Sequence, residues 1–471
     1  MSPKANKRAY VETYGCQMNI SDGELMEGIL EDRGYQIVAS PEEADVVLVN
    51  TCAIREHAEQ RVLGRVAQLN GLKQERPDMV LGVTGCMAQR MGESLLERAP
   101  YVDLVMGPDG YRDLPQTLAR IESAASGEAP GEAPTKNATV ERPRKKGRGP
   151  QLAVLQLDMD ENYQGLEQRR TEGPTAWVPI QRGCDHRCTY CIVPYVRGGE
   201  KNRSAVEIVD EVRRLADGGV SEVTLLGQTV NSWVWEDVSF AQLLRRVARV
   251  DGIRRVRYTS PHPNDVTPEL VAAMAEEPEI CRQLHLPAQA GNNRTLKRML
   301  RRYTVESLLE KIEMVREAMP DIALSTDIIV AFPGETDEEF RDTLELMRTV
   351  RFDDAFTYKY SPREGTPATR LPPEDFIDPD VAQARLEELI EVSRGIQAEI
   401  NASEVGRVEE ALIEGEGRDP GQIRGRTERN KVVVFDGLPH RVGEYTHVVL
   451  EHTTGATFSG SEVAAPVTAG V

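Results

Sequence analysis

One nine-residue stretch, Gly183-Cys184-Asp185-His186-Arg187-Cys188-Thr189-Tyr190-Cys191, constrains this chain more than any other. Three cysteines at C-x3-C-x2-C spacing make a compact thiolate claw, one short of the four ligands that usually close a [4Fe–4S] cluster. A cluster held by three cysteines leaves one iron open to a ligand that reacts. A zinc site and a surface disulfide loop are the alternatives for these thiols. Zinc usually takes a fourth Cys or His at paired spacing. His186, packed between two of the cysteines, reads as a solvated loop residue.

A chain of 471 residues is too long for one ordinary core, and about three domains are expected. Hydrophobic residues make up 40% and charged residues 28%, as in a soluble globular protein. There is no run of eighteen apolar residues, so no membrane span is expected. Met1 to Arg8 lead into a strand-like segment without a signal-peptide core. The expectation is a cytoplasmic protein whose seven cysteines stay reduced and available to metal. Net charge is −19, from 57 Lys+Arg against 76 Asp+Glu. Such acidity argues against broad nucleic-acid affinity, so any RNA contact must come from local basic patches.

The expected fold class is α/β and multidomain. Residues 8–122 alternate strand-like and helical patterns, which indicates an open parallel sheet. Ser21 and Glu24 stand at capping-box spacing there. Residues 123–172 read as a linker or insertion. Ala, Gly, Pro and Glu dominate its first part, followed by Arg142, Arg144, Lys145, Lys146 and Arg148. Residues 173–400 hold six strand candidates, at 177–181, 222–226, 255–260, 283–287, 323–330 and 355–360, separated by amphipathic helical patterns. Six βα units curve into a partial (β/α)6 barrel whose chemistry sits at the carboxyl ends of the strands. The cysteine claw follows the first of them. A helix is expected over 379–400. Five short strands over 402–465 then suggest a small all-β barrel of the oligonucleotide-binding type.

Three further cysteines each come just after a predicted strand: Cys16, Cys52 and Cys86. They are 36 and 34 residues apart, roughly one βα unit each time. Loops at the carboxyl ends of parallel strands share one edge, where ligands bind. Three thiols remote in sequence can therefore converge there, with Gly15, Thr51 and Gly85 leaving space. Three ordinary half-buried cysteines are the competing reading, since cysteine is often a small hydrophobe. Cys281 has no partner in its neighbourhood and reads as a core residue.

With these motifs on the page, the chain resembles the methylthiotransferase family of radical S-adenosylmethionine (SAM) enzymes. The resemblance rests on Gly15-Cys16-Gln17-Met18-Asn19, Asn50-Thr51-Cys52-Ala53-Ile54-Arg55, Gly85-Cys86-Met87-Ala88-Gln89 and Cys188-Thr189-Tyr190-Cys191-Ile192-Val193-Pro194-Tyr195. Gln228-Thr229-Val230-Asn231, His285-Leu286-Pro287, Phe332-Pro333-Gly334-Glu335-Thr336 and Gly425-Arg426-Thr427 extend it over nearly the whole length. The family implies an N-terminal methylthiotransferase domain, a radical-SAM core and a C-terminal TRAM domain that binds RNA. At matching positions, Cys16, Cys52 and Cys86 hold an auxiliary [4Fe–4S] cluster, and Cys184, Cys188 and Cys191 hold the radical-SAM cluster. Tyr190, Gly227 and Gln228 face SAM, with Asn231 and Asp327 as further SAM-pocket candidates.

What the resemblance implies chemically is a methylthio group added to carbon 2 of N6-isopentenyladenosine next to the anticodon of tRNA, with two SAM consumed. Threonylcarbamoyladenosine in tRNA, or an aspartate on a ribosomal protein, are the alternative substrates. Gly15-Cys16-Gln17-Met18-Asn19 favours isopentenyladenosine, because the protein-modifying relatives usually resemble Gly-Cys-Pro-Lys-Asn there. The implied partners of this monomer are the tRNA anticodon loop, an electron donor such as flavodoxin or ferredoxin, and a sulfur donor. Residues 401–465 carry 7 Lys+Arg and 11 Asp+Glu, unexpected for an RNA-binding barrel. RNA contact is therefore expected from Arg424, Arg426, Arg429 and Lys431, with Lys297, Arg298, Arg301 and Arg302 as a second basic cluster. A two-cluster electron carrier, or a non-catalytic RNA-binding module, would need a fourth cysteine near each claw, and the sequence has none.

Overall fold

The computed structural model describes residues 7–53, 56–126, 138–142, 150–170 and 173–465. They form two compact units. The first takes the described residues of Met1–Thr171 with Gln181–His186 and Ile192–Lys201, and the second takes the rest.

The first unit is built on seven strands: β1 (Arg8–Tyr14), β2 (Gln36–Ile37), β3 (Val46–Thr51), β4 (Val80–Gly85), β5 (Leu104–Met106), β6 (Ala138–Arg142) and β7 (Gln151–Val154). Their order is β2-β1-β3-β4-β5-β7-β6, with every pair parallel except β6 on β7. All residues of β3 and β4 are buried, because the sheet is covered on both faces. Side-chain alternation sends Val46 and Leu48 to one core with Leu25, Met26 and Leu118. It sends Val47 and Val49 to the other with Val66, Leu81 and Leu95. Each such Val or Leu contributes about 1.5–3 kcal/mol of hydrophobic burial.

Three expectations need correction in this unit. The first helix runs Gln17–Asp32, with Cys16 at its N-cap, so Ser21 is a buried interior residue and not a cap. The Cys16 carbonyl accepts from Asn19 and Ile20, which starts the helix directly after the strand. The linker expected over 123–172 also contains sheet. β7 is wholly buried and pairs with β5, because its Leu152 and Val154 complete the hydrophobic core. Residues 127–137 and 143–149, including Arg144, Lys145, Lys146 and Arg148, lie outside the described residues. Finally, Gln181–His186 and Ile192–Lys201, expected within the central domain, pack into the first unit. Arg182 and Lys201 both reach the buried Asp109, and Ile192 and Val196 pack with Ala53 and Cys86.

The second unit contains the barrel strands. Thr175–Pro179, Glu222–Leu226 and Arg255–Tyr258 form one parallel set, and Gln283–His285, Ala323–Val330 and Asp354–Lys359 another. A parallel bridge from Val256 to Ile280 joins them. All six expected strands are present within a few residues, and their outer faces share one apolar core with the covering helices. Cys281 is buried next to Ile280, 2% exposed, its thiol pushed up to about 12 by burial. After the helix Pro379–Glu404, five strands close a small barrel around Ala411, Ile413, Ile423, Val433 and Phe458. No described helix is long and apolar enough to cross a membrane.

Candidate functional site

Strand register brings the first three cysteines together. β1, β3 and β4 are neighbours, and Tyr14, Thr51 and Gly85 align in one row across them. Adjacent strands lie about 4.8 Å apart. Cys16, Cys52 and Cys86 therefore leave the sheet side by side. Gly15 has φ +143° and Gly85 has φ +91°, backbone that disfavours a side chain. A Cβ on Gly15 would come within 2.6 Å of Cys52 Cβ.

The surroundings of these thiols are polar and buried. Asn50 and Asn19 brace the loops, with Asn50 Nδ2 donating to Asn19 O at 2.7 Å and Asn19 Nδ2 to Thr51 O at 3.2 Å. Arg197 is 2% exposed, and its Nε donates to Cys86 Sγ at 3.1 Å while Nη2 donates to Asp22 Oδ2 at 2.6 Å. Hydrogen bonding with Cys52, helped by Arg197 against the cost of burial, holds the Cys16 thiol down to about 6. Burial pushes Cys86 up, with Arg197 opposing. Arg197 Nη1, Asn50 Oδ1 and Thr84 Oγ1 are buried without a hydrogen-bond partner. A set of three convergent thiols, one already acidic, with orphaned polar atoms beside it fits an iron–sulfur cluster.

The low Cys16 value has a direct consequence. In cluster-free protein at pH 7, iodoacetamide should alkylate Cys16 ~tenfold or more faster than Cys281, because the thiolate is the nucleophile. The Cys16 rate should fall as pH drops below about 6, where the thiol reprotonates. Peptide mass spectrometry reads both sites, and equal labelling would refute the assignment.

In the second claw, Cys184 follows Gln181–Arg182 in the first unit, 8% exposed, its amide donating to Gly198 O at 3.2 Å. In the second unit Cys191 N donates to Cys188 O at 3.0 Å, and the Thr189 amide and carbonyl are tied to Met299 O and Ala368 N. Arg301 Nη1 reaches Cys188 Sγ at 3.4 Å, while its Nε and Nη2 hold Tyr303 OH and Pro287 O. Burial pushes the Tyr190 phenol well above its ordinary value. At the carboxyl ends of the barrel strands, Ser260, Gln289 and Ala331 take left-handed backbone, strained for residues with side chains. Gln228 Oε1 and Gln289 Oε1 are buried there without partners, and Gly227 is buried beside Gln228.

Other expected residues are engaged elsewhere. Asn231 uses its carboxamide on the His262 backbone, donating to its O at 2.9 Å and accepting from its N at 2.6 Å, so it braces two loops. Asp327 Oδ2 lies 3.4 Å from His285 Nε2. Three of the four basic residues in the hairpin expected to bind RNA are engaged within the protein. Lys431 Nζ sits 2.8 Å from Asp353 and 2.9 Å from Asn401, and Arg429 pairs with Glu404. Arg426 is held by Glu414 at 2.6 Å, and Arg424, 48% exposed, lies 3.9 Å from the same carboxylate. The cause is that the amino ends of the barrel strands bind this hairpin. Arg255 donates to Arg426 O, and Arg257 donates to Thr427 O and Glu428 O. Arg298, from the second basic cluster, is paired with Asp375 at 2.7 Å.

Arg197 and Asp22 were not expected to belong to the sites, and Arg301, expected in a basic cluster for RNA, instead reaches Cys188. The one sequence signal for Arg197 is a charge ending the apolar run Ile192 to Val196.

Comparisons with known proteins agree with this architecture. Residues 8–107 match the uncharacterized protein family UPF0004, residues 178–347 the radical SAM superfamily and residues 402–458 the TRAM domain. A tRNA-2-methylthio-N(6)-dimethylallyladenosine synthase from Thermoanaerobacter sp. (strain X514) is 44% identical over 460 residues, covering 96% of this chain and 92% of the relative. One from Carboxydothermus hydrogenoformans is 42% identical, covering 96% and 98%. Among solved structures, the radical SAM methyltransferase TsrM from Kitasatospora setae, with cobalamin and a [4Fe–4S] cluster bound, has a TM-score of 0.55 at 15% identity. It covers 89% of this chain and 81% of its own, a likeness of fold. The three domains and the paired cysteine sets define a radical SAM protein of methylthiotransferase architecture. Within that class, the chain belongs to the tRNA-2-methylthio-N(6)-dimethylallyladenosine synthase family.

Proposed function

We propose that the chain adds a methylthio group to carbon 2 of N6-isopentenyladenosine next to the anticodon of tRNA, consuming two SAM per product. The convergence of Cys16, Cys52 and Cys86 beside Arg197 carries this reading, because a second thiolate set is what separates methylthio transfer from simpler radical SAM chemistry. When bound, two [4Fe–4S] clusters and SAM supply the one-electron and methyl-transfer chemistry that an unactivated aromatic C–H demands. Cys16, Cys52 and Cys86 hold one cluster, and Cys184, Cys188 and Cys191 the other.

The chain's own residues orient and shield. Gln228 and Gln289 offer buried acceptors to SAM, and Tyr190 and Gly227 are its further expected contacts. The target base must leave its stacked loop, which a flexible anticodon loop makes cheaper. The cytoplasm is the expected compartment, with flavodoxin or ferredoxin as electron donor and a separate sulfur donor. Mass spectrometry of tRNA nucleosides after anaerobic incubation with SAM, dithionite and isopentenylated tRNA tests the reading. The isopentenyladenosine should gain one methylthio group, and an unchanged nucleoside with fully loaded protein would overturn it.

A further inference from the structure

Arg197 carries more than the packing of its loop requires. It is a full positive charge, 2% exposed, paired with the equally hidden Asp22 at 2.6 Å. Burying such a pair yields little net stability, because desolvation offsets most of the attraction. Yet the same guanidinium also aims Nε at Cys86 Sγ from 3.1 Å. Nη1 remains buried with no acceptor among the described residues. A buried donor left unmade costs about 1–3 kcal/mol. No described protein atom completes it, and beside three thiols an anionic sulfur is a matching acceptor.

We infer that Arg197 is the positioning residue of the auxiliary cluster. It holds the Cys86 sulfur through Nε, presents Nη1 to a further cluster sulfur, and raises the cluster's reduction potential. The inference rests on the two-cluster reading above. Reduction adds negative charge to the cluster, and a nearby cation with N–H···S bonds stabilises the more negative state. Asp22 fixes the guanidinium in place and lowers its net field, so the hydrogen bonds carry much of the effect.

The test uses the full chain with C184A, C188A and C191A, which leaves Cys16, Cys52 and Cys86 as the cluster ligands. After anaerobic reconstitution this parent should hold about four irons. Electron paramagnetic resonance in a redox titration then reads the midpoint. Adding R197Q should shift the reduction equilibrium about tenfold toward the oxidised form at fixed ambient potential, about 59 mV more negative. Because R197Q strands Asp22, the R197Q/D22N pair keeps the net charge and guards against misfolding. It should remain shifted in the same direction, since the N–H···S donors are still gone. Loss of iron from R197Q/D22N with an unaltered unfolding transition would equally support a positioning role. A variant R197Q/D22N with the parent's iron content and midpoint would overturn the inference. A parent that binds no iron would instead overturn the two-cluster reading, and this inference with it.

Discussion

Cys188→Ala should abolish both SAM cleavage and methylthiolated product. The substitution removes one of three thiols from a set that has no fourth cysteine to replace it. It also strips Arg301 Nη1 of its sulfur contact at 3.4 Å, leaving a charge with unmet hydrogen bonds beside the claw. Cys52→Ala acts on the other set, where Cys52 is 5% exposed and hydrogen-bonded with Cys16. That variant should still cleave SAM without coupling to substrate, while product falls below detection. Chromatography of 5′-deoxyadenosine and mass spectrometry of tRNA nucleosides separate the two outcomes. Product from Cys52→Ala would show that the Cys16 set has no part in methylthio transfer.

The positions of the cysteines were legible because strand-end loops of a parallel sheet share one edge, whatever the detail of each loop. Six barrel strands and five strands of the last barrel were legible for a similar reason, since alternation and turn residues are local signals. What escaped depends on partners distant in sequence. A basic residue in a hairpin carries no mark of its direction. Lys431 turns inward because Asp353, far earlier in the chain, needs a counter-charge when largely withdrawn from water. β7 looked like linker because four residues are too few to display a period, and only its pairing with β5 makes it a strand. Arg197 was hidden likewise, its role resting on Asp22 and Cys86, both more than a hundred residues away.

Asp109→Ala should destabilise the first unit by about 3–5 kcal/mol, the cost of leaving buried charge without its partner. Asp109 is 1% exposed and takes two cations, Arg182 Nη2 at 2.9 Å on one oxygen and Lys201 Nζ at 2.8 Å on the other. The Asp158 amide donates to it as well, at 2.9 Å. Arg182 lies 3.4 Å over the Tyr163 ring, and Tyr163 OH donates to Pro108 O, so the cations are fixed on several sides and cannot swing to water. Burial already holds Lys201 below its ordinary value despite Asp109. Without that carboxylate its proton is lost more readily, whereas Arg182 stays charged and orphaned. Arg142→Ala is the contrast: its pairs with Glu93 and Glu97 are at the surface, and no measurable change is expected. Hydrogen exchange of the amides at 104–106 and 151–154 in urea reads the first unit directly, without a two-state assumption for the whole chain. Equal protection in the two variants would mean that the Asp109 cluster adds nothing to the unit that carries Cys16, Cys52 and Cys86.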